Sequence, residues 1–311
     1  MRRIHEQQVQ GYGRRHRSGR ATTPGGWRSR SGRSGRRDLA RGDLARRDLG
    51  RWVAVASALV VAALALTHAG PLDSSSAATA ARNGAAGEDC AAVKLSEAQW
   101  WYNWYVDPGC DAPNYVPMVS GRDKQTQGDI QWQVDRAYSN GYRTLLGFNE
   151  PNQPGQSVMS VDKALDLWPT LTSHDDVVVG SPAVSGGNGG TEWLTSFMQG
   201  VDDRKLRVDF VAAHFYGWGA GSCTGENLKS YLQQIQSLAN GRPVWVTEFG
   251  CLDASNTDEK TVRQFYNDAV KVLEDLGIER WCWYTPEKNH ALVDGGKLTG
   301  LGQDFVAISQ Q

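Results

Sequence analysis

Five short apolar runs open at residues 144, 177, 209, 244 and 280, so successive starts lie 33, 32, 35 and 36 residues apart. They read TLLGFN (144–149), VVVGS (177–181), DFVAAHF (209–215), VWVTE (244–248) and RWCWY (280–284). Between them apolar residues recur at helical spacing. TEWLTSFMQ (191–199) closes at Gly200, the stripe Leu228, Tyr231, Leu232, Ile235 and Leu238 closes at Asn240-Gly241, and Val262, Phe265, Ala269, Val272, Leu273 and Leu276 close at Gly277. Glycine stops a helix there because it adopts the left-handed conformation without a Cβ clash. A strand, a loop and a helix of about three turns fill each interval, which is the βα unit of a parallel sheet. The units share no residue pattern, so the chain is not a solenoid. The runs 98–105 (AQWWYNWY) and 115–120 (YVPMVS) raise the strand count to seven. The expected fold is α/β, a (β/α)8 TIM-type barrel whose first βα unit is degenerate, with the eighth strand sought near 91–94. An open doubly wound sheet is the rival, but no GxGxxG follows any strand. Pro169 must kink or shorten the helix over 164–171.

Charge divides the chain. It carries 33 Lys plus Arg against 34 Asp plus Glu, yet fifteen arginines and four acids fall in residues 1–51, leaving 18 bases against 30 acids beyond them. So acidic a body excludes nucleic acid as the partner, because phosphate contacts need a basic face. Residues 1–51 lack the apolar periodicity to order themselves. Residues 52–66 (WVAVASALVVAALAL) are apolar but short of the roughly 20 that a spanning helix needs. Basic flank, apolar run and the small-residue site ending at Ala69 together describe a secretory signal, with cleavage after Ala69. An uncleaved membrane anchor is the alternative, and Arg46-Arg47 permits a twin-arginine reading. Residues 70–88, mostly Ala, Ser and Thr, read as a flexible linker, and 89–311 as the catalytic domain. Export also suits the five cysteines. None forms CxxC or stands at zinc spacing from a histidine, so no metal is implied. The local pairings are Cys90 with Cys110 and Cys223 with Cys251, although spacing alone leaves other connectivities open. Cys282 is then the unpaired thiol, expected under the helix layer because Trp281 and Trp283 on either side would face the barrel interior.

A βα barrel carries its chemistry at the C-terminal ends of its strands. Read in order, those ends are Asn149-Glu150-Pro151, His214-Phe215-Tyr216-Gly217, Thr247-Glu248-Phe249-Gly250 and Trp283-Tyr284. One glutamate at a strand end is readily a cap neighbour or half of an ion pair. Two, among aromatics, are too costly to bury for structure alone. Facing carboxylates suit glycoside cleavage, one giving a proton to the leaving oxygen and the other attacking the anomeric carbon. Ten of the twelve tryptophans lie between Trp100 and Trp283 and offer flat faces for sugar rings. No GxSxG elbow, HExxH or Walker loop offers a rival chemistry. Trp132, Trp168, Trp193 and Tyr231 sit on helix stripes and are expected in the core. Trp218, in the glycine-rich loop 217–225, and Trp104 are open to substrate contact. His214 shares a strand face with Tyr216, and a structural histidine and a sugar ligand remain equal alternatives.

WYNW (101–104), VPM (116–118), LLGFNEPN (145–152), GSPAVS (180–185), DFVAAHFYG (209–217), VWVTEFG (244–250), ERWCWYT (279–285) and GKLTGLG (296–302) occur in this order, and together they resemble glycoside hydrolase family 128 over about 99–308. The resemblance implies a (β/α)8 barrel acting on β-1,3-glucan with retention of configuration; no cofactor is implied by the sequence, and a monomer is expected. It implies Glu150 as general acid/base, Glu248 as nucleophile, and Asn149 as contact to the sugar 2-hydroxyl. Tyr216 then lies beside the nucleophile and Trp283 floors the cleavage subsite. Asn103, Trp104, His214 and Trp218 complete the expected substrate-binding set. Endo against exo action and chain-length preference stay open.

Overall fold

Strand pairing runs in chain order and returns to its start. The computed structural model describes residues 82–187, 189–253, 257–285 and 288–311, the side chain of Lys288 excepted. The Arg-rich segment, the apolar run and the expected cleavage site lie outside these residues. Strand β1 (Asn83–Ala86) pairs in parallel with β2 (Trp100–Tyr102). Trp101 of β2 bridges Tyr115, and Met118 of the extended segment 115–118 bridges Leu146. There β3 (Thr144–Leu145) joins β4 (Val178–Val179), and the contact continues at Asn149 with Ala183. Bridges from Gly180 to Phe210 and from Val184 to Ala213 lead to β5 (Val211–Trp218). Then β5 pairs with β6 (Val244–Leu252), β6 with β7 (Arg280–Tyr284), and β7 with β1. Counting 115–118, eight parallel segments close a ring.

Helices α1 (Cys90–Leu95), α2 (Gln127–Ser139), α3 (Val161–Leu171), α4 (Gly190–Arg204), α5 (Gly225–Ala239), α6 (Glu259–Asp275) and α7 (Gly300–Ser309) follow the strands. Side-chain caps start most of them. Thr126 and Asp129 form a reciprocal capping box on α2, and Asp258 accepts from the Thr261 amide at 2.7 Å on α6. Pro169 does not break α3, which ends two residues later. Among the described residues no helix is long and apolar enough to cross a membrane.

The first strand is not where the sequence suggested. Residues 91–94 belong to α1, whose start is capped by Asp89 accepting from the Ala91 amide at 2.8 Å. The missing strand is β1, NGAA, inside the stretch read as linker, so the folded domain begins before residue 89. Nothing in NGAA favours a strand intrinsically; pairing on both sides imposes it. Gly84 is required there, because a Cβ would meet the Trp100 indole at 2.5 Å. The first βα unit is thus short but whole. It is the second that lacks a helix, since 103–114 is a loop tied back to α1 by the Cys90–Cys110 disulfide.

Both faces of the strands are buried, which explains their nearly continuous apolar character. Trp100, Tyr102, Met118, Phe210, Trp245 and Cys282 fill the barrel interior, while Phe148, Trp168, Phe197, Phe265, Trp281 and Trp283 pack between sheet and helices. Cys223–Cys251 is the second disulfide, and Cys282 is free and buried, as expected. Its facing is the reverse of that expected. Cys282 points inward, and Trp283 points outward to Tyr266 and Phe249, with ring centroids 5.2 and 5.0 Å away. Trp168 is core, Tyr231 is buried and Trp193 stacks on Phe197, whereas Trp132 is 57% exposed. The buried face of α2 is carried by Ile130, Val134 and Ala137 instead.

Asn83 holds the closing seam. Its Oδ1 accepts from Tyr266 Oη at 3.2 Å and Trp281 Nε1 at 3.0 Å, and its Nδ2 donates to the Phe305 carbonyl and Ser309 Oγ. Asn83→Leu strands two buried donors, each costing about 1–3 kcal/mol. We expect urea denaturation to show a loss of about 3 kcal/mol, against an unchanged midpoint if the seam is not held here. Cys282 should resist a thiol reagent in the native protein and react as a single thiol once unfolded.

Candidate active site

A bulge decides where Glu248 points. Phe210 just before β5 and Ala212 on it face the interior and Val211 and Ala213 face the helices, so His214 and Tyr216 face inward by simple alternation. On β6, Trp245 faces inward and Val246 outward, which would turn residue 248 outward. The β5–β6 register instead pairs Ala213 with Val246 and His214 with Glu248, so Thr247 is the extra residue. The bulge rotates Glu248 into the barrel mouth. Across the mouth, Glu150 follows the Asn149–Ala183 bridge with φ +41°, and its amide donates to the Ala183 carbonyl at 2.7 Å. A non-glycine residue in that region stores strain of about 1–3 kcal/mol, here spent on turning the carboxylate toward Glu248.

His214 stands between the two carboxylates. Its Nδ1 lies 3.0 Å from Glu150 Oε1 and its Nε2 lies 3.5 Å from Glu248 Oε1, and all three side chains are buried. One atom from each lies within 4.8 Å of the others. Glu248 is enclosed by donors: Tyr102 Oη at 2.7 Å and Trp104 Nε1 at 2.7 Å reach Oε1, and Tyr216 Oη reaches Oε2. Such a set suits a carboxylate anion, which only accepts.

Burial raises the proton affinity of Glu150; the hydrogen bond and charge of His214 pull it back, and the charge of Glu248 adds to it, leaving it above the ordinary carboxylate value. Burial alone would lower His214, but Glu248 and the contact with Glu150 outweigh it and the imidazole stays raised. Burial and the Glu248 charge push the Tyr102 and Tyr216 phenols far up, so both remain protonated donors. The site therefore holds a carboxyl biased toward its protonated form beside a carboxylate supplied with donors. Glu150, His214 and Glu248 also have the residue types of a metal site; His214 Nδ1 is bonded to Glu150 Oε1, and both oxygens of Glu248 take up donors.

The expected site residues divide. Glu150, Glu248, His214 and Tyr216 converge. Trp104 joins them through its indole N–H rather than only by its face, from a loop position at φ +69°. Asn149 lies beside Glu150; its Nδ2 donates to Gln156 Oε1 at 3.1 Å, and its buried Oδ1 has no protein partner. Trp218 continues the inward face of β5 to the rim and is 42% exposed. Asn103 does not join the cluster, because its amide is taken up within its own loop. Its amide donates to the Asp107 and Pro108 carbonyls and accepts from Tyr115 Oη, which organises the 103–115 loop. Trp283 is not the subsite floor either, since it packs under α6 and donates to the His290 carbonyl at 2.9 Å. Tyr284 takes that side of the mouth, its ring 6.1 Å from Trp104 and 5.4 Å from Tyr216. Tyr102 was missed, although it ends β2 as Tyr216 nears the end of β5. Reading the last residue of every strand would have found it.

Because His214 lowers the proton affinity of Glu150, His214→Asn should raise it further. An acid that must be protonated loses function as pH rises through its pKa, so the basic limb of kcat/KM should move to higher pH, with the maximum reduced about 10²-fold. A pH profile on a soluble substrate checks this; a limb that stays in place or moves down would remove His214 from control of Glu150.

The glycosyl hydrolase catalytic core family matches residues 79–305. A GH128 subgroup I endo-beta-1,3-glucanase from Amycolatopsis mediterranei, solved with laminarihexaose, is 31% identical, with 73% of this chain and 99% of that chain covered and a TM-score of 0.63. A GH128 subgroup III curdlan-specific exo-beta-1,3-glucanase from Blastomyces gilchristii, solved with glucose, is 28% identical over 73% of this chain and 98% of that one, with a TM-score of 0.63. Alkali-sensitive linkage protein 1 of Schizosaccharomyces pombe is 30% identical over 228 residues, 67% of this chain. The match spans only 40% of that protein's length. From the family match, the parallel barrel and its GH128 structural relatives, this chain belongs to the glycosyl hydrolase catalytic core family.

Proposed function

We propose that this protein is a secreted, retaining endo-β-1,3-glucanase. The observation that carries the reading is the placement of Glu150 and Glu248, with oxygens within 4.8 Å of each other on opposite sides of the mouth. Retaining glycosidases hold their carboxyls about 5–5.5 Å apart, whereas inverting ones leave about 6.5–9.5 Å for a water. Glu248 attacks the anomeric carbon while Glu150 passes its proton to the departing glycosidic oxygen. The covalent glycosyl ester on Glu248 is then cleaved by water, whose proton returns to Glu150. Tyr102, Trp104 and Tyr216 supply donors that orient Glu248 for attack. The choice of β-1,3-glucan is supported by the laminari-oligosaccharides held by the solved relatives, and secretion by the N-terminal apolar run and the two disulfides.

A reducing-end assay on laminarin, lichenan, cellulose and xylan tests the substrate. Laminarin should be cleaved to a ladder of oligosaccharides; glucose as the sole early product would mean exo action, and preference for another polymer would displace the linkage. A protein that binds laminarin and releases nothing would be a lectin on the same barrel. Roles within the pair separate on an aryl β-laminaribioside. Glu150→Gln should lose about 10²–10⁴-fold on polysaccharide yet still give a burst of phenol, whose departure needs no acid. Glu248→Gln should give neither, and a burst from it alone would reverse the two roles. Mass analysis of the secreted protein should place its start near Gly70; full-length protein in the membrane fraction would mean an anchor.

A further inference from the structure

Trp132 is the one tryptophan that contradicts its helix. The rest of α2 turns Ile130, Val134 and Ala137 into the core, while this indole stands 57% exposed beside the loop that precedes the helix, with Lys124 Nζ 5.8 Å from its ring centroid. The same loop contributes Arg122, Asp123 and Gln125 to a cleft of about 520 Å³, closed on the other side by Gln156 and Val158 from the loop that follows Glu150. Val158 is 61% exposed and has φ +44°, a conformation rare for a β-branched residue. An apolar side chain held out to solvent by a strained backbone is a costly arrangement that local packing does not explain.

The cleft is joined to the catalytic mouth. Ser157 donates its amide to the Asn149 carbonyl at 3.2 Å and its hydroxyl to the same oxygen. Gln156 accepts from Asn149 Nδ2 and also lines the cleft. Gln125 ties the two walls together by donating to the Ser157 carbonyl. The lining brings donors and acceptors together with little net charge, Arg122 standing 3.7 Å from Asp123. Neutral hydroxyls fit that set better than an anion or a cation. Val158 in the lining, and Trp132 outside it next to Lys124 of the same loop, offer the apolar faces that the C–H side of a pyranose ring needs.

We propose that this rim, from Trp132 across the 122–125 and 155–158 loops, is a second glucan-binding site that holds a distal stretch of the polysaccharide whose scissile bond lies at Glu150. The inference rests on the reading of the mouth as a glucan cleft. Its occupant is the same chain, because Gln156, which lines the cleft, also accepts from Asn149 beside Glu150, so the two surfaces lie close together. Long glucans therefore gain affinity from the rim, and short oligosaccharides, which do not reach it, gain none.

Trp132→Ala and Arg122→Ala, each in the full chain and again combined with Glu150→Gln, provide the test. In the inactive background, affinity for laminarin should fall about tenfold for Trp132→Ala, with laminaritriose affinity unchanged. In the active background kcat/KM on laminarin should fall in step, and turnover of an aryl laminaribioside should not. Matching melting temperatures establish that the variants fold. Laminarin affinity equal to the parent's in both variants overturns the rim site, even where laminarin is cleaved. Equal losses on laminaritriose and laminarin overturn it as well, because the effect would then lie in the mouth. A parent that binds laminarin through Trp132 but does not cleave it keeps the rim site and sinks the catalytic reading.

Discussion

Two carboxylates held within 4.8 Å of each other and nearly shut off from water set the terms for the rest of the barrel mouth. Neither charge is affordable there alone, and like charges at that distance repel. The mouth meets the problem asymmetrically. Glu248 receives three donors, two of them phenols whose protons are held tightly by burial. Glu150 is in contact with the imidazole of His214 and is left biased toward its protonated form. Environment rather than residue type thus separates the two carboxyls, as the proposed roles of acid and nucleophile require. His214 lies 3.0 Å from Glu150 and 3.5 Å from Glu248, so the charge of its imidazole answers to both groups.

Backbone irregularity delivers these groups. Glu248 faces its partner because Thr247 is inserted into β6, and Glu150 does so through a left-handed turn at the end of its strand. Trp104 reaches Glu248 from a third such position. Each departure is tolerated because the ring beneath is regular and closed, with Asn83 tying β1 to β7, α6 and α7. The disulfides act higher up, Cys90–Cys110 on the loop that carries Trp104 and Cys223–Cys251 beyond Tyr216 and Glu248. Rigid strands below and anchored loops above hold the carboxylates at one separation, on which the choice between direct attack and attack through water depends.

Much of this was legible in the chain itself. The interval of about 34 residues announces βα units, and the rule that barrel chemistry sits at strand C-termini picks out Glu150, His214, Tyr216 and Glu248. The two disulfides are the local pairings that short spacing favours, and they leave Cys282 over. Only the tertiary structure placed the rest. NGAA becomes a strand because two neighbours pair with it, a property of the closed ring that four small residues cannot signal. In RWCWY the period of two separates Trp281 and Trp283 from Cys282 and Tyr284, but with apolar groups on both sides it does not tell which set faces inward. The register of β7 against β1 and β6 decides it, sending Trp283 under the helices and Tyr284 into the mouth. Asn103 and Trp132 follow the same logic. Composition marks them as polar and aromatic, while the folded 103–115 loop takes up the one and the packing of α2 leaves the other in solvent, because burial belongs to the assembled fold and not to the residue.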